Sequence, residues 1–284
     1  MMTAEMGRIY RGCVLMVFCM CSGGALHAHG LTGKTISICD DGSEWPPFSY
    51  FERLNGNKSE KIIGYSVDVI KEIFDKHSIK FTIKLPPWKR CLVEVDKGNQ
   101  FQMLLSAGLS SERAKKYLLS RPYYTTTRYY FWSKKVHPNG LEVDTSSEKQ
   151  AFLDLTEKYK MGLIHGYGTG ALEKAGVDLS KTDSGSKTQD ALVRKLHAGR
   201  IDNFYSGFEV LSGLTLIGAT NAMNDPDLGY APLGSNKRKY QMMFTKNNPI
   251  GMKLKLLIDK ELALMEASGR LDELLAPYMN SLKR

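Results

Sequence analysis

Cysteine is scarce in this 284-residue chain, and what there is lies unevenly. Cys13, Cys19 and Cys21 sit in one apolar N-terminal run, which leaves only Cys39 and Cys91 for the body of the protein. There is no Cys-x-x-Cys, and no histidine stands at a spacing that would complete a zinc site, so no metal is expected. No apolar run approaches the roughly 18 residues needed to cross a bilayer, which excludes a multi-span membrane protein. A fixed-period repeat is missing, which excludes solenoids and propellers. No His-Glu-x-x-His, no Ser-His-Asp order and no glycosidase-like carboxylate pair can be located, so the sequence carries no hydrolase signature. Dense basic runs are also missing. The formal charge is +9, but Lys71, Lys97, Lys115, Lys158, Lys195 and Lys253 are scattered, which reads as a solvated surface and not as a nucleic-acid footprint.

The first 28 residues have the order of a secretory leader. Arg8 and Arg11 form a basic start, Cys13–Cys21 an apolar stretch, and Leu26-His27-Ala28 a small-residue cleavage site. Phe18 and Met20 precede Cys19 and Cys21 where a lipobox needs a small residue, so a lipoprotein is not expected. Losing this leader lowers the formal charge only from +9 to +8. Export makes a disulfide between Cys39 and Cys91 chemically accessible. Cys39 ends the first strand and Cys91 lies early in the helix after the neighbouring strand, so adjacent strands would bring the two thiols to one sheet end.

The rest reads as two α/β series. Thr35–Cys39, Ile79–Leu85 and Phe101–Leu105 are strand-like, the second in strict alternation. Between them, Val67, Ile70, Ile73 and Phe74 keep helical spacing, and Trp88–Lys97 is a helix stopped by Gly98. This β-α-β-α-β order implies a parallel sheet with right-handed crossovers. After a strand at Thr125–Ser133 and a polar loop, a second series follows: a strand at Lys160–Ile164, a glycine turn into a short helix, a helix at Thr188–His197 and strands at Ile201–Tyr205 and Tyr240–Phe244. The chain then ends in helix. The expectation is an α/β protein of two lobes, each a mostly parallel sheet flanked by helices. Two crossings, near Phe131–Lys135 and Met242–Lys246, would join the lobes. Residues 29–132 with 245–284 would form one lobe and 133–244 the other, with a ligand held between them at the carboxyl ends of the strands.

Five short motifs stand in order along residues 34–280: Trp45-Pro46-Pro47-Phe48, Gly64-Tyr65-Ser66-Val67-Asp68, Ser110-Ser111-Glu112-Arg113 with Arg121-Pro122-Tyr123-Tyr124, His197-Ala198-Gly199-Arg200-Ile201-Asp202, and Phe244-Thr245-Lys246. Together they resemble the family 3 extracytoplasmic solute-binding proteins, the amino-acid-type periplasmic components of ABC transporters. The resemblance implies the type II periplasmic-binding-protein fold. It also implies a monomeric, periplasmic carrier without cofactor, which closes on a small solute and delivers it to an ABC permease. Two alternatives stay open: an enzyme on the same scaffold, dehydratase-like, and a ligand-sensing partner of a membrane receptor.

Arg113 follows a strand and a Gly/Ser turn, so its fork would reach over the strand ends, where a guanidinium matches a carboxylate bidentately. The resemblance gives it that role toward the ligand's α-carboxylate. Ser106, Gly108 and Ser110 could add hydroxyl or backbone donors. Gly166, Tyr167, Gly168 and Thr169 open a short helix, where exposed N–H groups suit an anion. In the family this loop grips the carboxylate from the second lobe, and the insertion of Tyr167-Gly168 departs from the usual Gly-Thr. Trp45, Phe48 and Tyr65 are candidates to stack on the ligand. Asp40, Asp41 and Glu44 read first as turn residues and otherwise as partners for a cationic end. The aspartate that pairs with the α-ammonium in amino-acid binders is replaced by Gly207, which leaves Asp202 and Glu209 as substitutes. The expected ligand is therefore a carboxylate without a free α-ammonium.

Overall fold

The computed structural model describes residue 31 and residues 33–283. The expected leader, residues 1–28, lies outside the described residues. Strand β1 (Thr35–Cys39) forms as its alternation predicts, with Ile36 and Ile38 buried on one face. A hairpin follows, β2 (Tyr50–Leu54) with β3 (Asn57–Ile63). This hairpin is not among the expected elements, although its turn is Asn55-Gly56, with both residues at positive φ, 52° and 80°. That is the two-residue turn whose twist suits antiparallel strands. Helix α1 (Tyr65–Lys76) buries Val67, Ile70, Ile73 and Phe74. Strand β4 (Lys80–Lys84) leads to helix α2 (Trp88–Lys97), which ends at left-handed Gly98 and buries Trp88, Cys91 and Val95. Strand β5 (Met103–Gly108) is buried throughout. Both β4 and β5 run parallel to β1.

Helix α3 (Ser111–Lys116) and the short strand β6 (Leu118–Leu119) lead into β7 (Tyr124–Ser133). The second series comprises α4 (Glu148–Glu157), β8 (Met161–Ile164), α5 (Gly170–Ala175), β9 (Asp183–Ser186), α6 (Gln189–His197), β10 (Asn203–Gly207) and α7 (Phe208–Leu216). Strands β10 and β9 lie parallel to β8. The chain continues through β11 (Leu228–Phe244) into α8 (Pro249–Ala267) and α9 (Arg270–Ser281). The expected apolar face of α8, formed by Leu254, Leu257, Ile258, Leu262 and Met265, is buried.

Strand order is β4-β1-β5-β11-β7-β10-β8-β9, with β6 on β11, so one sheet runs through both lobes. Each lobe is a parallel set, and the two long strands β7 and β11 join them antiparallel. Strand β11 corrects the short strand expected at Tyr240–Phe244. It begins at Leu228 and pairs with β7 on both sides of a break between Pro232 and Lys237. Pro232 has no N–H to give the ladder and Gly234 sits at φ 92°, so the sequence there looks like loop while the strand merely interrupts. Tyr240–Phe244 already pair with β5 in the first lobe, so the change of lobe falls inside this strand. Cys39 and Cys91 are bonded, with Cα atoms 5.7 Å apart. The bond ties the carboxyl end of β1 to α2, and with it the loop after β1 to Trp88.

Candidate ligand-binding site

A cavity of about 70 Å³ opens between the lobes. The first lobe supplies Asp40, Asp41 and Trp45 from the loop after β1, Trp88 from the start of α2, Ser106 and Gly108 from β5, and Arg113 from α3. The second supplies Tyr167, Gly168 and Thr169 after β8, Gln189 at the start of α6, and Tyr205–Gly207 at the end of β10. The joining strands add Thr126 and Arg128 from β7 and Arg238 and Tyr240 from β11. Residues of both lobes thus meet at the carboxyl ends of parallel strands, where open α/β sheets place their ligands.

Arg113 is only 8% exposed. Ser110 is the N-cap of α3 and its hydroxyl accepts from the Arg113 N–H, which holds the helix that aims the arginine. Nη1 of Arg113 donates to the Gly108 carbonyl at 2.9 Å, and its guanidinium lies 5.3 Å from the Trp88 ring centroid. Burial, and then the charge of Arg238, push Arg113 down to about 10. Arg128 is likewise lowered by burial and by Arg238, and it pairs with Glu148. Asp40 is fully buried, and burial raises it to about 6 although the Ser49 hydroxyl donates to its Oδ2. Burial also raises Asp41, against a 2.6 Å hydrogen bond from the Tyr167 hydroxyl.

Eight lining residues carry a buried polar atom without a partner among the described residues: Asp40 Oδ1, Trp45 Nε1, Ser106 Oγ, Thr126 Oγ1, Arg128 Nε, Gln189 Oε1, Ser206 Oγ and Arg238 Nε. Native proteins leave few such groups, because each costs about 1–3 kcal/mol of lost hydration. Their concentration around one cavity is that of a site made for a polar molecule.

Of the residues expected from sequence, the structure brings Trp45, Ser106, Gly108, Arg113, Tyr167, Gly168 and Thr169 to the cavity. It places four elsewhere. Tyr65 is core, stacked on Tyr123 with its hydroxyl donating to the Tyr123 carbonyl. Ser110 is spent on the cap. Gly166 faces α2, and its carbonyl accepts from Trp88 Nε1 at 3.0 Å. The Asp202 carboxylate accepts from the Lys160 N–H and contacts His137. Phe48 is also core, stacked on Tyr124 at 3.9 Å. Glu44 is held by Arg53, and Glu209 accepts from the Thr127 N–H and hydroxyl. The Thr169 hydroxyl already donates to Glu173.

Trp88, Thr126, Arg128, Gln189, Tyr205, Ser206, Arg238 and Tyr240 were not singled out as site residues. A signal existed for half of them. Thr126 with Arg128, and Arg238 with Tyr240, are two apart on their strands, so each pair shares a face.

The model of the bacterial extracellular solute-binding proteins, family 3, matches residues 36–281. The chain belongs to that family. A comparison with curated protein sequences yields no match. Among solved structures, this family 3 protein resembles the amino acid ABC transporter substrate-binding protein AbpA from Streptococcus pneumoniae Canada MDR_19A, bound to L-arginine. The identity is 20% and the TM-score 0.65, over 87% of this chain and 95% of that one. It is similar to EhuB in complex with hydroxyectoine, at 20% identity and TM-score 0.66 over 91% and 93%. It is also similar to the ancestral amino-acid-binding protein AncCDT-1, a precursor of cyclohexadienyl dehydratase, at 16% identity and TM-score 0.62 over 86% and 95%. At these identities the likeness to solved structures establishes the shared periplasmic-binding-protein-like fold of the family. Among the described residues no helix is long and apolar enough to cross a membrane.

Proposed function

We propose that this protein is exported, captures a small carboxylate-bearing solute between its lobes by hinge closure, and hands it to an ABC permease. The sequence boundaries near 132 and 244 move inward along the joining strands, and the lobes turn where the ladder between β7 and β11 breaks, since Tyr240–Phe244 already pair with β5. The observation that carries the reading is Arg113, buried at the cavity with a single acceptor for its guanidinium among the described residues. A buried guanidinium without a carboxylate partner is poised for an anion. The amino-acid ligand named for AbpA is consistent with it. Gly207 lines the cavity where amino-acid binders carry their ammonium partner, and Asp202 and Glu209 are engaged elsewhere. The carboxylates left among the described lining residues are Asp40 and Asp41, engaged by Ser49 and Tyr167, which disfavours a solute with a free α-ammonium.

Mass spectrometry of the small molecule released from purified, denatured protein should identify a carboxylate. Arg113→Ala should weaken its binding by about 30-fold or more, since truncating one partner of a buried charge pair costs 2–5 kcal/mol. An unchanged affinity would overturn the reading. One observation favours a second reading, an enzyme on this scaffold. Asp40, held near pKa 6 inside the cavity, is suited to donate a proton to a bound solute. Proton NMR of the recovered solute incubated with the protein tests it: a turned-over product supports the enzyme, and an unchanged spectrum removes it.

A further inference from the structure

A single carboxylate on Arg113 leaves Arg238 unexplained. The two guanidiniums converge on one point. A Cβ placed on Gly168 would lie 3.4 Å from Nη1 of Arg113 and 3.4 Å from Nη2 of Arg238. The two terminal nitrogens are therefore within twice that distance of each other. Gly108 makes room for the second arginine, because a Cβ there would collide with the Arg238 guanidinium. Neither arginine has an ion pair among the described residues, and Arg238 Nε is sealed from solvent with no acceptor. The third arginine of the cavity is different, since Arg128 is paired with Glu148. Of the carboxylates that line the cavity, Asp40 accepts from Ser49 through Oδ2 and Asp41 accepts from Tyr167, and neither forms an ion pair with Arg113 or Arg238.

Two like charges so close in a cleft that excludes most water repel each other, and one negative charge neutralises only one of them. We propose that Arg238 is a second anion-binding residue and that the solute is a compact dianion, its two negative charges held jointly by Arg113 and Arg238. This rests on the carboxylate reading of Arg113 given above. The cavity between the lobes, about 70 Å³, suits a short dianion. A dicarboxylate of few carbons and a small phosphate monoester share that chemistry.

Calorimetric titration distinguishes them. Succinate and glutarate are compared with their chain-matched monoanions, butyrate and valerate, and glycerol phosphate forms a separate arm. The best dianion should bind about 10- to 100-fold more tightly than the monoanions, the worth of one added charged hydrogen-bonding contact. In Arg238→Gln that ratio should collapse toward one. Lys239→Gln, at an exposed neighbour on the same strand, should preserve it. Arg238→Met, neutral and apolar, replaces Arg238→Gln if the latter does not fold. Binding of glycerol phosphate alone assigns the phosphate class, and binding of a dicarboxylate alone the other. Equal affinity for mono- and dianions, a ratio untouched in the Arg238 variant, or no binding by any dianionic probe would overturn the proposal. The Arg113 reading fails separately, if Arg113→Gln leaves dianion affinity unchanged.

Discussion

Gly108 is a residue whose side chain would harm the site far more than the fold. An added methyl there meets the guanidinium of Arg238, the free end of a flexible side chain that can swing aside. Gly108→Ala should therefore keep thermal stability within about 1 kcal/mol, while displacing Arg238 and lowering solute affinity at least about tenfold. Melting and titration of the same sample check this, and a drop in stability with affinity intact would contradict it. Asp40 gives the stability a pH dependence of its own. Its folded value, about 6, stands above the ordinary 3.8 because burial penalises the charge. The folded state thus holds the proton more tightly, so its contribution is full below pH 4 and is lost as pH rises through about 6. Denaturant melts should show Asp40→Asn gaining on the wild type across that window, by about 2–3 kcal/mol. Parallel curves from pH 4 to 7 would show that the shift is absent. Arg113 was legible from its motif. Arg128 and Arg238 were not, because a charged residue in a strand reads as surface until the sheet shows which face is enclosed.

At the scale of elements, the strands and helices with regular periodicity were legible to within about three residues at each end, β5 and β10 lying further along the chain than expected. Helix α2 runs from Trp88 to Lys97 as expected, because its apolar positions fall three and four apart and Gly98 stops it. The hairpin β2–β3 was missed although Asn55-Gly56 announced it, because its strands are largely polar and half-exposed. The first half of β11 was missed because Pro232 and Gly234 imitate a loop. The disulfide was legible as a possibility and depended on β1 and β4 being neighbours, which they are. It closes a sequence separation of 52 residues. On the chain-entropy model, the double change Cys39→Ser with Cys91→Ser should cost about 4 kcal/mol. Equilibrium unfolding measures that cost. Thiol labelling of denatured, unreduced protein lacking residues 1–28 should find Cys39 and Cys91 both blocked, and two reactive thiols would refute the bond.

For the whole molecule, the lobes meet through bonds that the protein makes to itself. Tyr167 donates to Asp41, Trp88 donates to the Gly166 carbonyl, and the Ser43 hydroxyl donates to the Lys187 carbonyl. These contacts hold the lobes together without any solute, and on the proposed hinge mechanism they favour closure. Tyr167→Phe removes the hydrogen bond to a carboxylate, worth about 1.5–3 kcal/mol, and so shifts the balance between open and closed by tenfold or more. Small-angle scattering of the solute-free variant should give a larger radius of gyration than the wild type, and an identical radius would mean that this bond does not hold the lobes. The Tyr167 insertion was visible in the sequence as a departure, but its reach across to Asp41 was not, because no periodicity encodes a contact between lobes.

The route of the chain through the sheet also sets the order in which the molecule can be finished. Strand β5 gains its second neighbour only when β11 arrives. Leu254, Ile258 and Leu262 of α8 belong to the same buried core as Ile36 and Ile38, and Asp68 waits for the hydroxyl of Tyr278, 210 residues later. The part made first is thus completed last. Contacts so far apart along the chain form slowly, so a polypeptide emerging from its N-terminus stays threadable for most of its length. The fold locks only when α8 and α9 arrive to close the lobe that started it.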